Sequence, residues 1–187
     1  MNSLAKESMI IAVESLKKIS ETDLADLCNI TEQAINAGGG FGWLTIPTIE
    51  TLKKYWNGLI LIKSNILIVG RLNGTIAGAS QISFYPPNNE AQKNISKIQS
   101  HFVAPWARGY GLAKAMIDRA LEISKENNKK SIQLDIRETQ SAAIQLFENK
   151  GFSKWGENPS YAFINGTRIK AYDGFSPHLE KPLFSKS

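Results

Sequence analysis

The chain has 187 residues, 42% of them hydrophobic, with 22 basic against 17 acidic side chains and a formal charge of +5. That length and apolar content can bury one sizeable core, so a single domain over 1–187 is expected, with its core at about 9–172 and a loosely attached tail at 173–187. Cys28 is the only cysteine, and His101 and His178 are the only histidines, which excludes an internal disulfide and leaves no ligand cluster for a metal.

Met9–Val13 is an apolar run that reads as a first strand. It is too short for the core of a signal peptide or for a bilayer span, so a cytoplasmic protein without a membrane role is expected. Behind the cap candidates Ser20, Thr22 and Asp23, the residues Leu24, Leu27, Cys28 and Ile35 recur at helical spacing until Gly38-Gly39-Gly40. Cys28 belongs to that apolar stripe. Pro47-Thr48 then opens a second helix carrying Ile49, Leu52, Tyr55 and Trp56.

Ile66–Leu72 and Thr75–Tyr85 flank Asn73-Gly74, a pair suited to a tight turn with both central residues at positive φ, which predicts an antiparallel hairpin. Ile95–Val103 is extended and stops at Pro105. Leu112, Ala115, Met116, Ala120 and Ile123 mark one side of a helix that gives out at Asn127-Asn128. "SIQLDIR" alternates strictly, with Ile132, Leu134 and Ile136 on one face and Gln133, Asp135 and Arg137 on the other, as a half-buried strand does. A short helix over "SAAIQLFENKG" ends at Gly151. Strands follow at Phe152–Trp155, Tyr161–Ile164 and Arg168–Tyr172, with Asn165-Gly166 as a second hairpin turn. The order predicts an α/β (α+β) domain with a mixed sheet.

"APWARGYGLAKA", Ala104–Ala115, places Gly109 and Gly111 where the long helix begins. The first backbone N–H groups of a helix lack partners, and glycine lets an anion approach them. A P-loop would need Gly-Lys-Ser/Thr, which does not follow Gly111. The dinucleotide fingerprint would need a small residue where Lys114 stands and an acidic residue closing the next strand, whereas Asp135 lies mid-strand.

Arg108-Gly109-Tyr110-Gly111-Leu112-Ala113 resembles the Arg/Gln-x-x-Gly-x-Gly/Ala pattern with which the GNAT superfamily of N-acetyltransferases holds coenzyme A. "QLDIRETQSAAIQLFENKGF", Gln133–Phe152, is similar to that superfamily's following strand, helix and Lys-Gly-Phe ending, and the resemblance covers roughly Met9–Tyr172. It implies a mostly antiparallel twisted sheet with a splayed parallel pair, flanked by helices, and acetyl-coenzyme A as cosubstrate without a metal. It implies that the N–H groups of Gly109, Tyr110, Gly111, Leu112, Ala113 and Lys114 cradle the pyrophosphate, with Arg108 secondary. The backbone of His101, Phe102 and Val103 would pair with the pantetheine arm beside a strand bulge, one N–H there polarising the thioester carbonyl. Gln140 would hydrogen-bond the cofactor.

Acetyl transfer needs a neutral amine, yet an alkylamine of ordinary pKa is only about one part in a thousand neutral at pH 7. Asp135 matches the position of an acidic base in some members and is the candidate general base; its competing role is an ion pair, with Arg137 as partner. The superfamily's thiolate-protonating tyrosine falls on Phe147, which has no proton to give, leaving Tyr161 or Tyr172 as substitutes. Trp43, Trp155 and Tyr161 are candidate walls of an acceptor site. The resemblance thus implies an N-acetyltransferase acting on a primary amine of a small molecule, peptide or protein, in a chain that could form a homodimer. The alternative is an acyl-coenzyme A sensor with little turnover. A nucleic-acid partner is the weakest reading, because the lysines are scattered in pairs.

Overall fold

The structure, a computed structural model, describes residues 9–38 and 42–176, with side chains described through Tyr172. Eight strands run in chain order as β1 (Ile11–Leu16), β2 (Asn65–Leu72), β3 (Thr75–Phe84), β4 (Ile95–Val103), β5 (Ser131–Arg137), β6 (Ser153–Lys154), β7 (Asn158–Ile164) and β8 (Thr167–Ser176). Four helices join them: α1 (Glu21–Asn36), α2 (Ile49–Leu61), α3 (Leu112–Glu126) and α4 (Ser141–Glu148). In space the strands lie β1-β2-β3-β4-β5-β8-β6, with β7 on β8. Each pairing is antiparallel except β4 with β5, which are parallel and joined through α3.

Local chemistry accounts for the element ends. Ser20 Oγ accepts the Asp23 N–H at 3.1 Å to cap α1, and Thr48 Oγ1 accepts the Thr51 N–H at 3.3 Å to cap α2. Asn73-Gly74 and Asn165-Gly166 all take positive φ, so both turns match the twist of their flanking strands. After α4, the Phe152 N–H donates to Phe147 O at 3.1 Å and the Gly151 N–H to Glu148 O at 2.9 Å, the double bond that closes a helix through a left-handed residue. The rings of Phe147 and Phe152 meet edge-on at 5.0 Å beside it.

The sheet buries a core on each face. Leu27, Ile30, Leu52 and Trp56 of α1 and α2 pack on one side, and Met116, Ile117, Ile132 and Phe147 on the other. Gly78 of β3 lets α3 and β4 come close. A Cβ there would lie 2.8 Å from Met116 Cε and 2.9 Å from the backbone oxygen of Phe102.

Several expected boundaries move: β6 shrinks from Phe152–Trp155 to Ser153–Lys154, and β7 begins at Asn158 instead of Tyr161. The first strand is Ile11–Leu16, displaced from Met9–Val13, because its register is set by antiparallel pairing with Leu67–Leu72. The last strand runs past Tyr172 to Ser176, since β5 and β6 supply backbone partners at Leu134↔Phe175 and Ser153↔Ser176. Residues 177–187, with His178, and 39–41 lie outside the described residues. Among the described residues no helix is long and apolar enough to cross a membrane, and no group of three or more His, Cys, Asp or Glu side chains could hold a metal.

Candidate functional site

The parallel pair makes the site. β4 and β5 pair only at Ile95↔Ser131, Ser96↔Ile132 and Lys97↔Gln133. Beyond them β5 pairs with β8 while β4 stays with β3, so a slot opens between the two strands. The cause lies in β4, where the register against β3 jumps from Ala79↔Phe102 to Gln81↔Gln99. Ser100 and His101 therefore stand opposite Ser80 alone, a bulge, and Ser100 takes a left-handed backbone with φ 47°. Tyr55 ties the bulge to α2: its hydroxyl accepts from Gln81 Nε2 at 2.6 Å and lies 3.4 Å from Ser100 Oγ.

Past the bulge the Ala104 N–H donates to Ala77 O at 2.8 Å. Antiparallel alternation then points the N–H and C=O of Val103 into the open slot. A cleft of about 390 Å3 runs there, lined by His101, Phe102, Val103, Arg108, Ala113 and Gln140 among others. No sequence motif marks its far wall, Ala34 of α1 with the capping Ala37, and Ser141 and Leu146 of α4. These are small or aliphatic side chains on helix faces, and only Gly38, which ends α1, was marked by a local signal.

At the mouth of the cleft Gly109 and Gly111 have φ 87° and 82°. The first intrahelical bond of α3 runs from the Ala115 N–H to Gly111 O at 3.0 Å, which leaves the N–H groups of Leu112, Ala113 and Lys114 without intrahelical acceptors at the positive end of the helix. Tyr110 is exposed beside them. Gly109, Gly111, Leu112 and Lys114 do not line the cleft itself but form the turn at its end.

On the other side of the splay lies a cavity of about 430 Å3, lined by Tyr55, Gln81, Lys97, Ser100, Asp135 and Tyr161 among others. A neighbouring hollow carries Asp135, Arg137 and Tyr161 on toward Leu44 and Phe163. Asp135 is ion-paired, to Lys97 at 2.6 Å. Burial alone would depress the Lys97 ammonium, but the hydrogen bond and charge of Asp135 outweigh it and hold the group above its ordinary value. Lys97 therefore stays charged and keeps the carboxylate in place. Of the expected aromatic walls, Tyr161 lines this cavity, Trp43 packs edge-on against Tyr55 at 5.0 Å, and Trp155 is exposed and lines neither space.

His101, Gln140 and Ala143 line both the cleft and the cavity. His101 packs edge-on against Phe147, ring centroids 5.5 Å apart, and burial pushes its imidazole down to about 4. It is neutral at pH 7. The slot offers a strand edge and an anion-binding turn on one side and a charged, hydroxyl-lined cavity on the other, an arrangement that can bring an extended thioester against a second, polar substrate.

A model of the acetyltransferase (GNAT) family matches residues 32–152. An uncharacterised N-acetyltransferase of Azospirillum brasilense, encoded in a hisH-hisA intergenic region, is 41% identical over 130 residues, 70% of this chain and 77% of that protein. Among solved structures, an N-acetyltransferase from Staphylococcus aureus Mu50 superposes with a TM-score of 0.77 at 17% identity, covering 91% of this chain and 99% of that one. A Salmonella typhimurium structure with its cofactor acetyl-CoA does so with a TM-score of 0.74 at 14% identity, over 95% and 98%.

Proposed function

The chain belongs to the GNAT family of acetyltransferases, and from that premise we propose that it moves acetyl from acetyl-coenzyme A directly to a primary amine of a small molecule or peptide, both substrates being bound at once. The observation that carries this reading is that the cleft and the cavity adjoin, sharing His101, Gln140 and Ala143 as lining, so that a thioester on one side would face an amine on the other. The pyrophosphate rests on the N–H groups of Gly109 to Lys114, with Arg108 beside it. The pantetheine arm lies along His101, Phe102 and Val103 as an added strand, and a backbone N–H of that stretch polarises the thioester carbonyl. Gln140 bonds the cofactor at the start of α4.

The acceptor enters on the Asp135 side. That carboxylate draws in the ammonium and takes its proton, while Lys97 fixes the carboxylate in position. Tyr161 presents a hydroxyl from β7 on the same side. Cys28 is 1% exposed in the α1 core, and transfer accordingly proceeds without a thiol-bound acetyl group.

The test is thiol release from acetyl-coenzyme A with a panel of polyamines, amino acids, aminoglycosides and peptides. The proposal expects release that depends on one class of amine. Phe147, standing where a proton-donating tyrosine was expected, supports the second reading of an acyl-coenzyme A sensor. Tight cofactor binding with no amine-dependent release across the panel would favour it.

A further inference from the structure

Both ring nitrogens of His101 are shut from solvent and have no hydrogen-bond partner among the described residues. The residue as a whole is not fully buried, so its exposure comes from its other atoms, and it contributes to the walls of both spaces. A buried polar group left unpaired costs about 1–3 kcal/mol, and a neutral imidazole carries one donor and one acceptor nitrogen. Such a group invites the question of what ligand it waits for.

Its surroundings answer. His101 sits in the β4 bulge, the point where the slot opens, and its ring rests against Phe147. Phe147 is itself pinned by Phe152 and by the backbone bonds that close α4. Tyr161 lines the acceptor cavity and not the cofactor cleft. A proton that starts on the amine and ends on sulfur has to cross from one space to the other, and His101 borders both.

Resting on the acetyl-transfer reading above, we propose that His101 is a catalytic residue that carries this proton, acting first as base and then as acid. Asp135 handles a different proton, the one that turns the incoming ammonium into an amine. The amine nitrogen attacks the thioester carbonyl carbon, forming the C–N bond, and the cationic nitrogen gives a proton to the His101 imidazole. The C–S bond breaks with its electron pair going to sulfur. The imidazolium then protonates the thiolate, leaving amide, coenzyme A thiol and neutral His101. A small rotation of the ring, made when the cofactor fills the cleft, presents a nitrogen to the substrates, since catalytic hydrogen bonds form in the loaded site and not in the empty one. The imidazole next to Phe147 thus does what a phenol at position 147 would do.

The experiment uses ring-15N histidine NMR on a His178→Gln protein, which leaves one imidazole to observe. Saturation with acetyl-coenzyme A should shift a ring-nitrogen resonance as it gains a partner. In parallel, thiol release is measured with hydroxylamine as the probe amine, with the enzyme-free reaction of hydroxylamine and the thioester subtracted. His101→Gln should lose about a hundredfold or more of the rate, while its melting temperature still rises on adding acetyl-coenzyme A. Phe147→Tyr in that background should restore about tenfold, because a phenol then stands beside the empty position. Unmoved ring nitrogens at saturation, or a His101→Gln rate within roughly threefold of the parent, would overturn the proposal. The NMR result stands whether or not hydroxylamine is a good acceptor. If acetyl-coenzyme A raises no melting temperature in the parent protein, the cofactor reading itself fails and takes this proposal with it.

Discussion

At the scale of single residues, His101 couples the site to stability. Its folded value of about 4 lies below the ordinary 6.5, with burial as the cause. The unfolded chain therefore binds a proton that the folded one refuses. The stabilisation is full above about 6.5 and is lost as pH falls toward 4, a difference of about 3 kcal/mol. Denaturant melts of the parent and of His101→Gln at pH 7 and pH 4 should show the parent losing about that much more than the variant. Equal losses would mean that the imidazole is not buried and neutral. Asp23 runs the same way for a different reason: its hydrogen bond from Arg71 holds the carboxyl below its usual range, at a part-buried site. Residue identity announced some of this and concealed the rest. Asp135 was legible as a polar-face carboxylate, but its partner was expected to be Arg137 and is Lys97. The two are 38 positions apart and meet only because β4 and β5 run parallel, with Lys97 opposite Gln133.

At the scale of elements, the close approach of β3, β4 and α3 holds the slot in shape, and Gly78 is its tightest point. Gly78→Ala sets a methyl 2.9 Å from the Phe102 backbone oxygen, which cannot turn aside as the end of Met116 can. The variant should lose about 1–3 kcal/mol in denaturant melts, and should also bind acetyl-coenzyme A more weakly, because the strand that moves is the one expected to pair with it. Undiminished stability would mean that β4 yields freely. Most elements were legible because their signals are local: Ser20 and Thr48 as caps, Asn-Gly at both hairpins, and strict alternation in β5, whose Ile132, Leu134 and Ile136 are buried in turn. The bulge was not legible. Serine has no strong preference for positive φ, and the extra residue at Ser100 exists only relative to the register of β3. The extension of β8 through Asp173-Gly174 was hidden for the same reason, since those residues belonged to the expected loosely attached tail until β5 supplies a partner.

At the scale of the whole molecule, one sheet carries both spaces: the pair β4 and β5 splays, α3 brings a glycine turn and its unpaired N–H groups to one end, and β7 lines the cavity on the other side. The family was legible from Arg108–Ala113 with Gln133–Phe152, because a glycine turn before a helix and a strand-helix-turn after it are carried by local sequence. The cavity proposed for the acceptor was legible only in Asp135 and Tyr161, because Tyr55, Gln81 and Lys97 come from three elements that only the fold assembles around them. The central claim is that this slot holds acetyl-coenzyme A. Thermal unfolding with and without the cofactor tests it most directly, with Gly111→Val as control, since valine at φ 82° is strained and withdraws the turn from the phosphates. At a hundredfold excess over Kd the parent should gain about 2.7 kcal/mol, a rise of roughly 5–11 °C for a chain of this size, and Gly111→Val should gain little. An unchanged melting temperature of the parent at millimolar acetyl-coenzyme A would contradict the account.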